Sequence, residues 1–379
     1  MTGFFTSPRI TWGPGALEQL SGLGARKALV IVDPAVAKLD GHRRVVEELA
    51  KSDTAVELVA DLAEPDHLES VEAIGVRLQS YAPDWVVAVG GGRTLDGVKA
   101  ARLRAERPDV PVESVTPVLD LPDPLRTRLV AVPTTSGSGS EGSWTADLWR
   151  RDGAPIEVAH RALVPDWALI DPGFATTLPH ERRLDGALET AAQAVEAYLS
   201  AWANPFSDAL ALDALSTVIE RLPHALRFSD DPDASAALSY ASTSAGLAAS
   251  NAQRGLAHAL ARALGPVTEL PYGRLVGVLL PFVVDFDYPS ARERIERISR
   301  ATTGPNESSG VPFAVRLRRL CESFRFPATL RSAGFAPERL AASRAEVIER
   351  TLRSPATLAN PRIPSAEEVG GLLDAVVGS

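Results

Sequence analysis

Short apolar runs alternate with helical periodicity in the first half of the chain. Between the runs, the apolar spacing over 40–52 and 68–80 is that of amphipathic helices, and a helix start is predicted at Gly15–Leu17. The apolar runs themselves predict buried strands at Ala28–Val32, Ala55–Val59, Trp85–Val89 and Leu129–Val132. Repeated strand–loop–helix units of this kind predict a parallel sheet with helices on both faces.

The pattern changes after Asp171-Pro172. From Glu181 onward strand patterns are almost absent, and long stretches rich in alanine and leucine take their place. The predicted helices of this half are 185–202, 207–226, 234–251, 253–264, 290–302, 312–324, 337–353 and 365–377. We therefore predict an α/β dinucleotide-binding domain over residues 1–180 and an all-helical domain over 181–379, with the break at Thr176–Pro179.

Composition narrows the class of protein. The formal net charge of −9 argues against non-specific binding to nucleic acid. The single cysteine, Cys321, excludes an internal disulfide and a cysteine-rich metal site. The N-terminal segment lacks the pattern of a signal peptide, and no apolar run has the length of a membrane span. The expectation is a cytoplasmic protein with neither nucleic-acid nor membrane partners.

A glycine turn follows the third predicted strand and carries the first candidate chemistry. Gly90, Gly91 and Gly92 lie between the strand and a predicted helix from Thr94 to Arg102. Glycine lets the backbone approach a ligand closely, and a helix start offers unpaired N–H groups and partial positive charge. The turn therefore predicts a phosphate site, with an unliganded tight turn as the alternative.

Two further segments could complete a nucleotide site. Asp33 ends the first predicted strand, where an acid commonly accepts hydrogen bonds from a ribose; the alternative is an N-cap, because Asp33-Pro34 is also a typical helix opening. Pro133–Glu141, with the sequence PTTSGSGSE, follows the fourth strand. Its hydroxyl and N–H groups could bind phosphate or ribose, or it could be an exposed linker.

Four separated motifs resemble those of the iron-containing (group III) alcohol dehydrogenase family. They are the opening ITWGPGALEQL, the two boxes GGGRTLDGVK and PTTSGSGSE, and the C-terminal Asn360-Pro361-Arg362 before an acidic helix. The resemblance spans about residues 5 to 377. It implies a dehydroquinate synthase-like fold, an active site in the cleft between the two domains, and oxidation or reduction of an alcohol or carbonyl compound with NAD(P). The family usually self-associates, which implies a homodimer or larger oligomer.

The resemblance also implies a cofactor site. Asp33 matches the family acid that favours NADH over NADPH, so NAD is the expected cofactor and NADP the alternative. Arg93 stands where the family usually has serine, and could contact the pyrophosphate, an acidic substrate or solvent. The other matched cofactor residues are Gly91, Gly92, Asp96, Lys99, Thr134, Thr135 and Ser138.

The positions that match the family's metal ligands are largely replaced. The family uses one aspartate and three histidines, the first two in the pattern Asp-x-x-x-His-x-x-Glu. Here Glu189 takes the aspartate position, Gln193 and Tyr272 take two histidine positions, and His258 is kept. A further family histidine is Arg262. A neutral amide and a protonated phenol are poor ligands for a transition metal. We therefore expect no tightly bound metal, with a weak site at Glu189 and His258 as the alternative.

Without a metal, another group must polarise a carbonyl and supply a proton. Tyr272 and His258 are the candidate proton donors, and Arg262 could tune them or bind a substrate anion. The alternatives are a packing role for Tyr272, a histidine satisfied by Glu189, and an Arg262 that merely pairs with an acid at the helix surface. The expected function is a metal-independent NAD(P)H-dependent reductase of a small carbonyl compound in specialised metabolism. A non-redox cyclase-like or lyase-like enzyme and a nucleotide-binding protein without turnover are the competing interpretations.

Overall fold

A six-stranded parallel sheet forms the first half of the molecule. The computed structural model describes residues 5–39, 41–303 and 311–378. The strands are β1 (Arg9–Trp12), β2 (Lys27–Val32), β3 (Ala55–Val59), β4 (Trp85–Gly90), β5 (Arg128–Pro133), β6 (Thr145–Trp149), β7 (Pro155–Ala159) and β8 (Trp167–Ile170). The sheet has the order β1–β8–β5–β4–β2–β3, and β6 and β7 form a separate antiparallel hairpin. The four predicted strands are confirmed as the centre and one edge of the sheet.

Helices cover both faces of the sheet. They are α1 (Pro34–Lys38), α2 (Arg43–Ala50), α3 (Leu68–Tyr81) and α4 (Gly92–Glu106). Leu29 and Ile31 of β2 pack into one core, whereas Val30 and Val32 pack into another on the opposite face. Such burial on both faces explains why the strands are continuous apolar runs rather than alternating ones.

The second half is helical, as the sequence predicts. Its helices are α5 (His180–Leu199), α6 (Pro205–Arg227), α7 (Pro232–Ala252), α8 (Leu256–Thr268), α9 (Tyr272–Ala301), α10 (Phe313–Ser323), α11 (Glu338–Ala341), α12 (Arg344–Arg353), α13 (Pro355–Ala359) and α14 (Ala366–Val377). No helix in the described ranges is long and apolar enough to cross a membrane. The domain boundary at 180/181, self-association and the cytoplasmic location stay predictions.

Several sequence predictions are corrected. The helix predicted at Gly15–Leu17 is a 3-10 turn, Ala16–Gly22. The helix predicted over 40–52 is α2, and Asp40 lies outside the described residues. The first half of α9 was missed because Pro281 lies within it, and proline normally breaks a helix. Strands β1 and β8, of four residues each, were not predicted.

The loop from Pro133 to Glu141, the hydroxyl loop, lies between the two halves of the molecule. Gly186 of α5 and Gly246 of α7 bring both helices against it. A Cβ on Gly186 would lie 2.5 Å from the Ser136 carbonyl oxygen, and one on Gly246 would lie 2.3 Å from the Gly139 carbonyl oxygen. The carboxyl ends of β4 and β5 therefore face the helical half, which is where ligands bind in open α/β sheets.

Candidate active site

The glycine turn has the geometry of a phosphate cradle. Strand β4 ends at Gly90, Gly91 is the N-cap of α4, and Gly92 is its first residue. The first N–H groups of the helix have no intrahelical partners and lie at the positive end of its dipole. A Cβ on Gly92 would lie 2.6 Å from Ser138 Oγ, so the turn and the hydroxyl loop approach each other closely enough to require glycine. These two segments are brought together as predicted.

Asp33 has the capping role that the sequence left open, and it also borders the glycine turn. Its Oδ1 accepts a hydrogen bond from the Ala35 N–H at 2.8 Å, with Pro34 at the first position of α1. Its Oδ2 accepts from Thr94 Oγ1 of α4 at 3.2 Å. The carboxylate is therefore oriented by groups on both sides, next to the cradle.

Lys99 and Asp96 form a buried pair beneath the cradle. Lys99 is fully buried, and its ammonium donates to Asp96 Oδ1 at 3.1 Å, Ser140 Oγ at 2.7 Å, Ser143 Oγ at 2.9 Å and the Thr145 carbonyl at 3.0 Å. Every donor of this lysine therefore has a protein acceptor. In this geometry the pair ties α4 to the hydroxyl loop and β6, and Lys99 has no free N–H for a phosphate.

Arg93 is also engaged by the protein. Its Nε and Nη2 form an ion pair with the buried carboxylate of Asp66, at 2.8 and 2.7 Å. The Arg93 side chain is also 55% exposed, so of the three roles that the sequence left open the structure shows the solvent-facing one, with the guanidinium held by an acid of the same domain. Thr134 is buried and donates its N–H to the Gly90 carbonyl at 3.0 Å, whereas Thr135 is exposed beside Gly91.

Gln193 fastens the hydroxyl loop to α5. Its side-chain amide donates to the Gly137 carbonyl at 2.8 Å and to the Ser138 carbonyl at 2.9 Å. The residue is 2% exposed. This position, where the resembling family has a histidine ligand, therefore makes a structural contact with the hydroxyl loop.

Glu189 lies one turn before Gln193, between two glycines. Its Oε2 is 3.1 Å from the position that a Cβ on Gly137 would take, and 3.2 Å from the corresponding position on Gly273. Burial raises the pKa of Glu189 to about 8, although the Arg254 guanidinium opposes part of this shift. A carboxyl group in this environment is largely protonated at neutral pH.

His258 is held by Glu196, not by Glu189 as one alternative had it. Its ring Nδ1 is hydrogen-bonded to Glu196 Oε2, and both side chains are buried. Its Nε2 is buried and has no hydrogen-bond partner in the described part of the chain. Burial lowers the pKa of His258, and the Glu196 carboxylate offsets part of this effect.

Tyr272 opens α9 and lies beside His258. The two ring centroids are 6.1 Å apart, and the phenol donates to the His258 carbonyl oxygen at 3.4 Å. Burial raises the pKa of Tyr272, so the phenol stays protonated and can donate a hydrogen bond. The structure therefore brings Glu189, Gln193, His258 and Tyr272 to one region beside the hydroxyl loop.

Arg262 pairs with acids, but in the interior rather than at the helix surface. It is 6% exposed and donates to Glu157 Oε2 at 2.7 Å and to Asp147 Oδ1 at 2.8 Å. Arg254 donates to the other oxygen of Asp147 at 2.9 Å. Burial alone would raise the pKa of Asp147, but the two guanidinium groups hold it well below its ordinary value.

Sequence reasoning missed three residues of this region: Glu196, Asp147 and Arg254. A signal for Glu196 was present, because it occupies the last position of the Asp-x-x-x-His-x-x-Glu pattern. No local sequence signal indicated Asp147, because its arginine partners are 107 and 115 residues away in the chain.

Comparison with known proteins decides the family. The sequence profile "Iron-containing alcohol dehydrogenase" matches residues 7–172, and "Fe-containing alcohol dehydrogenase family, C-terminal" matches residues 184–377. The chain belongs to the iron-containing alcohol dehydrogenase family. This membership confirms the resemblance and its fold.

Relatives match along nearly the whole chain. An alcohol dehydrogenase from Thermococcus barophilus is 30% identical, with 97% of each chain covered. An NADPH-dependent butanol dehydrogenase from Clostridium saccharobutylicum is 27% identical, covering 98% of this chain and 97% of the relative. The solved structure of the iron-containing alcohol dehydrogenase from Thermococcus thioreducens superposes with a TM-score of 0.87 at 29% identity, covering 99% of both chains.

The family name implies iron, but the donor set at the matched positions does not fit a four-ligand metal site. His258 Nε2 is a free donor atom, and Glu189 supplies a carboxylate with a raised pKa. The amide of Gln193 is fastened to the loop, and the phenol of Tyr272 is protonated. Over the described ranges, no group of three or more His, Cys, Asp or Glu residues could hold a metal ion. Transition metals prefer imidazole, thiolate and carboxylate ligands, of which only two remain.

Proposed function

We propose that the protein is an NAD(P)-dependent reductase of a small carbonyl compound, or the dehydrogenase of the corresponding alcohol. When bound, the nicotinamide cofactor supplies or accepts the hydride. The observation that carries this proposal is the Gly91–Gly92 turn, which lies against Thr135 and Ser138 of the hydroxyl loop; the adjacent rings of His258 and Tyr272 in the helical half support it. Membership of a dehydrogenase family supports it.

The cofactor half has the groups that a dinucleotide needs. Helix α4 presents its N-terminal N–H groups to a pyrophosphate, and the exposed Thr135 and half-buried Ser138 offer hydroxyl groups beside them. Asp33 is oriented to accept hydrogen bonds from a ribose, and its negative charge would repel the 2′-phosphate of NADP. We therefore propose NAD as the preferred cofactor, with NADP as the alternative to be measured alongside it.

In this proposal, side chains rather than a metal ion assist the transfer of the proton to the carbonyl oxygen. In the direction of reduction, a carbonyl oxygen that gains negative charge needs a proton, and general acids of this kind contribute roughly 10²- to 10⁴-fold in rate. We propose His258 or Tyr272 as the donor. His258 has an unpartnered buried Nε2, and Tyr272 is protonated and adjacent. The proposal contains no catalytic metal because Gln193 and Tyr272 occupy positions where the family has histidine ligands.

The test is oxidation of NADH and NADPH, followed at 340 nm against a panel of aldehydes and keto acids, with and without a strong chelator. The expected result is turnover that the chelator leaves unchanged, together with less than stoichiometric metal by elemental analysis. Tightly held stoichiometric metal, or activity abolished by the chelator, would contradict metal independence. Nucleotide binding with no turnover on the panel would instead support the binding-protein interpretation.

A matched variant sharpens the metal test. The double change Gln193→His and Tyr272→His restores imidazole at both replaced positions. We expect this variant to hold zinc or iron more tightly than the wild type, measured by competition with a coloured chelator. Equal affinity in the two proteins would show that the residue types at these positions do not decide metal binding.

A further inference from the structure

Helix α8 begins without a capping side chain of its own, and two distant residues supply the acceptors. Asn360 Oδ1 accepts from the Leu256 N–H at 3.1 Å, and Glu196 Oε1 accepts from the Ala257 N–H at 2.5 Å. The N-cap is Gly255, where a Cβ would lie 2.9 Å from Asn360 Oδ1 and 3.1 Å from Glu196 Oε1. Glycine at this position is what lets both acceptors reach the helix.

The second oxygen of Glu196 contacts the ring of His258. Because Oε1 is occupied by a backbone N–H, only Oε2 faces the imidazole, where it meets Nδ1. A carboxylate offers acceptor oxygens, so the contact between Oε2 and the ring assigns its proton to Nδ1. The remaining ring nitrogen, Nε2, is buried and has no partner in the described part of the chain.

We propose that Glu196 is the positioning residue of the active site. It holds His258 in the Nδ1–H tautomer and leaves Nε2 as the nitrogen that exchanges a proton with the substrate oxygen. The proposal rests on the proposed function and takes His258 as the proton carrier. In reduction, hydride adds to the carbonyl carbon, and the resulting alkoxide takes from Nε2 a proton that the ring has first taken up from solvent, so that the imidazole returns to its neutral Nδ1–H form. In oxidation, Nε2 takes the proton of the alcohol while the hydride leaves to the oxidised cofactor.

The arrangement is reinforced from the C-terminal region. The Asn360 amide nitrogen donates to Asp287 Oδ1 at 2.7 Å and to the Arg362 carbonyl at 2.9 Å. Because the amide nitrogen is directed at these two acceptors, the side-chain oxygen Oδ1 is the atom that faces the start of α8. The start of the helix, and His258 with it, is therefore fixed by residues that approach from α5, α9 and the segment after α13.

The change Glu196→Gln separates this role from a packing role. Glutamine has the same shape, but only one of its two terminal atoms can accept. The Ala257 N–H cannot become an acceptor, so the amide oxygen stays there and the amide nitrogen faces Nδ1. The imidazole must then accept at Nδ1 and carry its proton on Nε2. The substitution is expected to reverse the tautomer while keeping the fold.

The direct test is the ¹⁵N spectrum of histidine-labelled protein, with the His258 signal assigned by its loss in His258→Gln. The expected result is a protonated Nδ1 and an unprotonated Nε2 in the wild type, and the reverse in Glu196→Gln. A neutral wild-type ring that carries its proton on Nε2 rather than on Nδ1 overturns the proposal, and this measurement needs no variant of Glu196 to fold. The same tautomer in both proteins overturns it as well.

Kinetics provide the second test. In a Ser-His-Asp triad the equivalent acid-to-amide change lowers kcat about 10⁴-fold because the tautomer is wrong. We expect kcat of Glu196→Gln to fall roughly 10²- to 10⁴-fold in both directions, with KM and the affinity for NADH changed little. A kcat that stays within about threefold of the wild type overturns the positioning role.

The matched control is Asp231→Asn. Asp231 also caps a helix, α7, and also meets a histidine, His224, at 2.7 Å, but it lies outside the site. This variant is expected to keep wild-type kcat; a loss as large as that of Glu196→Gln would mean that the effect is structural. If no carbonyl substrate is turned over, the proposed function fails, whereas the spectrum still decides the tautomer.

Discussion

The interior arginine Arg262 offers a quantitative test of the structure. Asp147 and Glu157 are directly opposite each other on the β6–β7 hairpin. Like charges in such a pair repel, and Arg262 bridges them with contacts of 2.8 and 2.7 Å. The arginine side chain is 6% exposed and that of Glu157 is 9% exposed. The change Arg262→Met therefore leaves Glu157 buried beside another carboxylate, with the Ser354 hydroxyl as its remaining hydrogen-bond donor in the described part of the chain.

Removing one partner of a buried ion pair costs about 3–5 kcal/mol, because the other charge is left uncompensated. We expect Arg262→Met to lower the free energy of unfolding by about that amount. Urea titration followed by circular dichroism at neutral pH measures it. Adding Glu157→Gln removes the unpaired, buried carboxylate of Glu157, so the double variant is expected to be more stable than Arg262→Met alone.

The control is Arg107→Met, which breaks a two-contact arginine–aspartate pair with Asp109 on the surface. Because solvent screens an exposed pair, this variant should unfold close to the wild type. The reasoning is refuted if Arg262→Met is no less stable than Arg107→Met. It is also refuted if the double variant is no more stable than Arg262→Met.

Two further predictions concern the cofactor cradle and the candidate acid. Gly92→Ala places a Cβ 2.6 Å from Ser138 Oγ and 2.7 Å from Ser138 Cβ. Fluorescence titration should therefore show an affinity for NADH that is reduced about tenfold or more. The control variant Gly22→Ala, which has open space around the new Cβ, should bind NADH as the wild type does. For Glu189, whose pKa is raised from 4.5 to about 8, the folded state binds the extra proton between these values, so wild-type stability should fall as pH rises through that window. Glu189→Gln should flatten this decline in thermal unfolding, and identical pH profiles for the two proteins would contradict the buried-acid assignment.

The sheet and the cradle could be predicted because their signals are local. A strand buried on both faces is a continuous apolar run, and the glycine turn follows Trp85–Val89 directly in the chain. The C-terminal helices were predictable for the same reason, except where Pro281 lies inside α9. The hairpin β6–β7 was missed because its strands are short and half-buried, and its importance lies in contacts with α8.

The charge network could not be predicted, because its partners come from distant parts of the chain. Arg262 was recognised as a replaced residue, but its acids are 105 and 115 residues away. Lys99 has protein partners that its motif did not indicate. Its motif implied a cofactor contact, whereas the fold surrounds its ammonium with the hydroxyl groups of Ser140 and Ser143 and with Asp96. A motif identifies where a residue lies more reliably than which group its side chain meets.

Three of the replaced positions have protein partners, which bears on how the site could change. Gln193 holds the hydroxyl loop, Tyr272 donates to the His258 carbonyl, and Arg262 bridges two carboxylates. His258 is kept, but its contact with Glu196 also belongs to the cap of α8, so its retention does not itself indicate a metal. A single reversion to histidine would therefore remove an existing contact without completing a ligand set. For this reason, rebuilding the site requires at least the paired change at Gln193 and Tyr272.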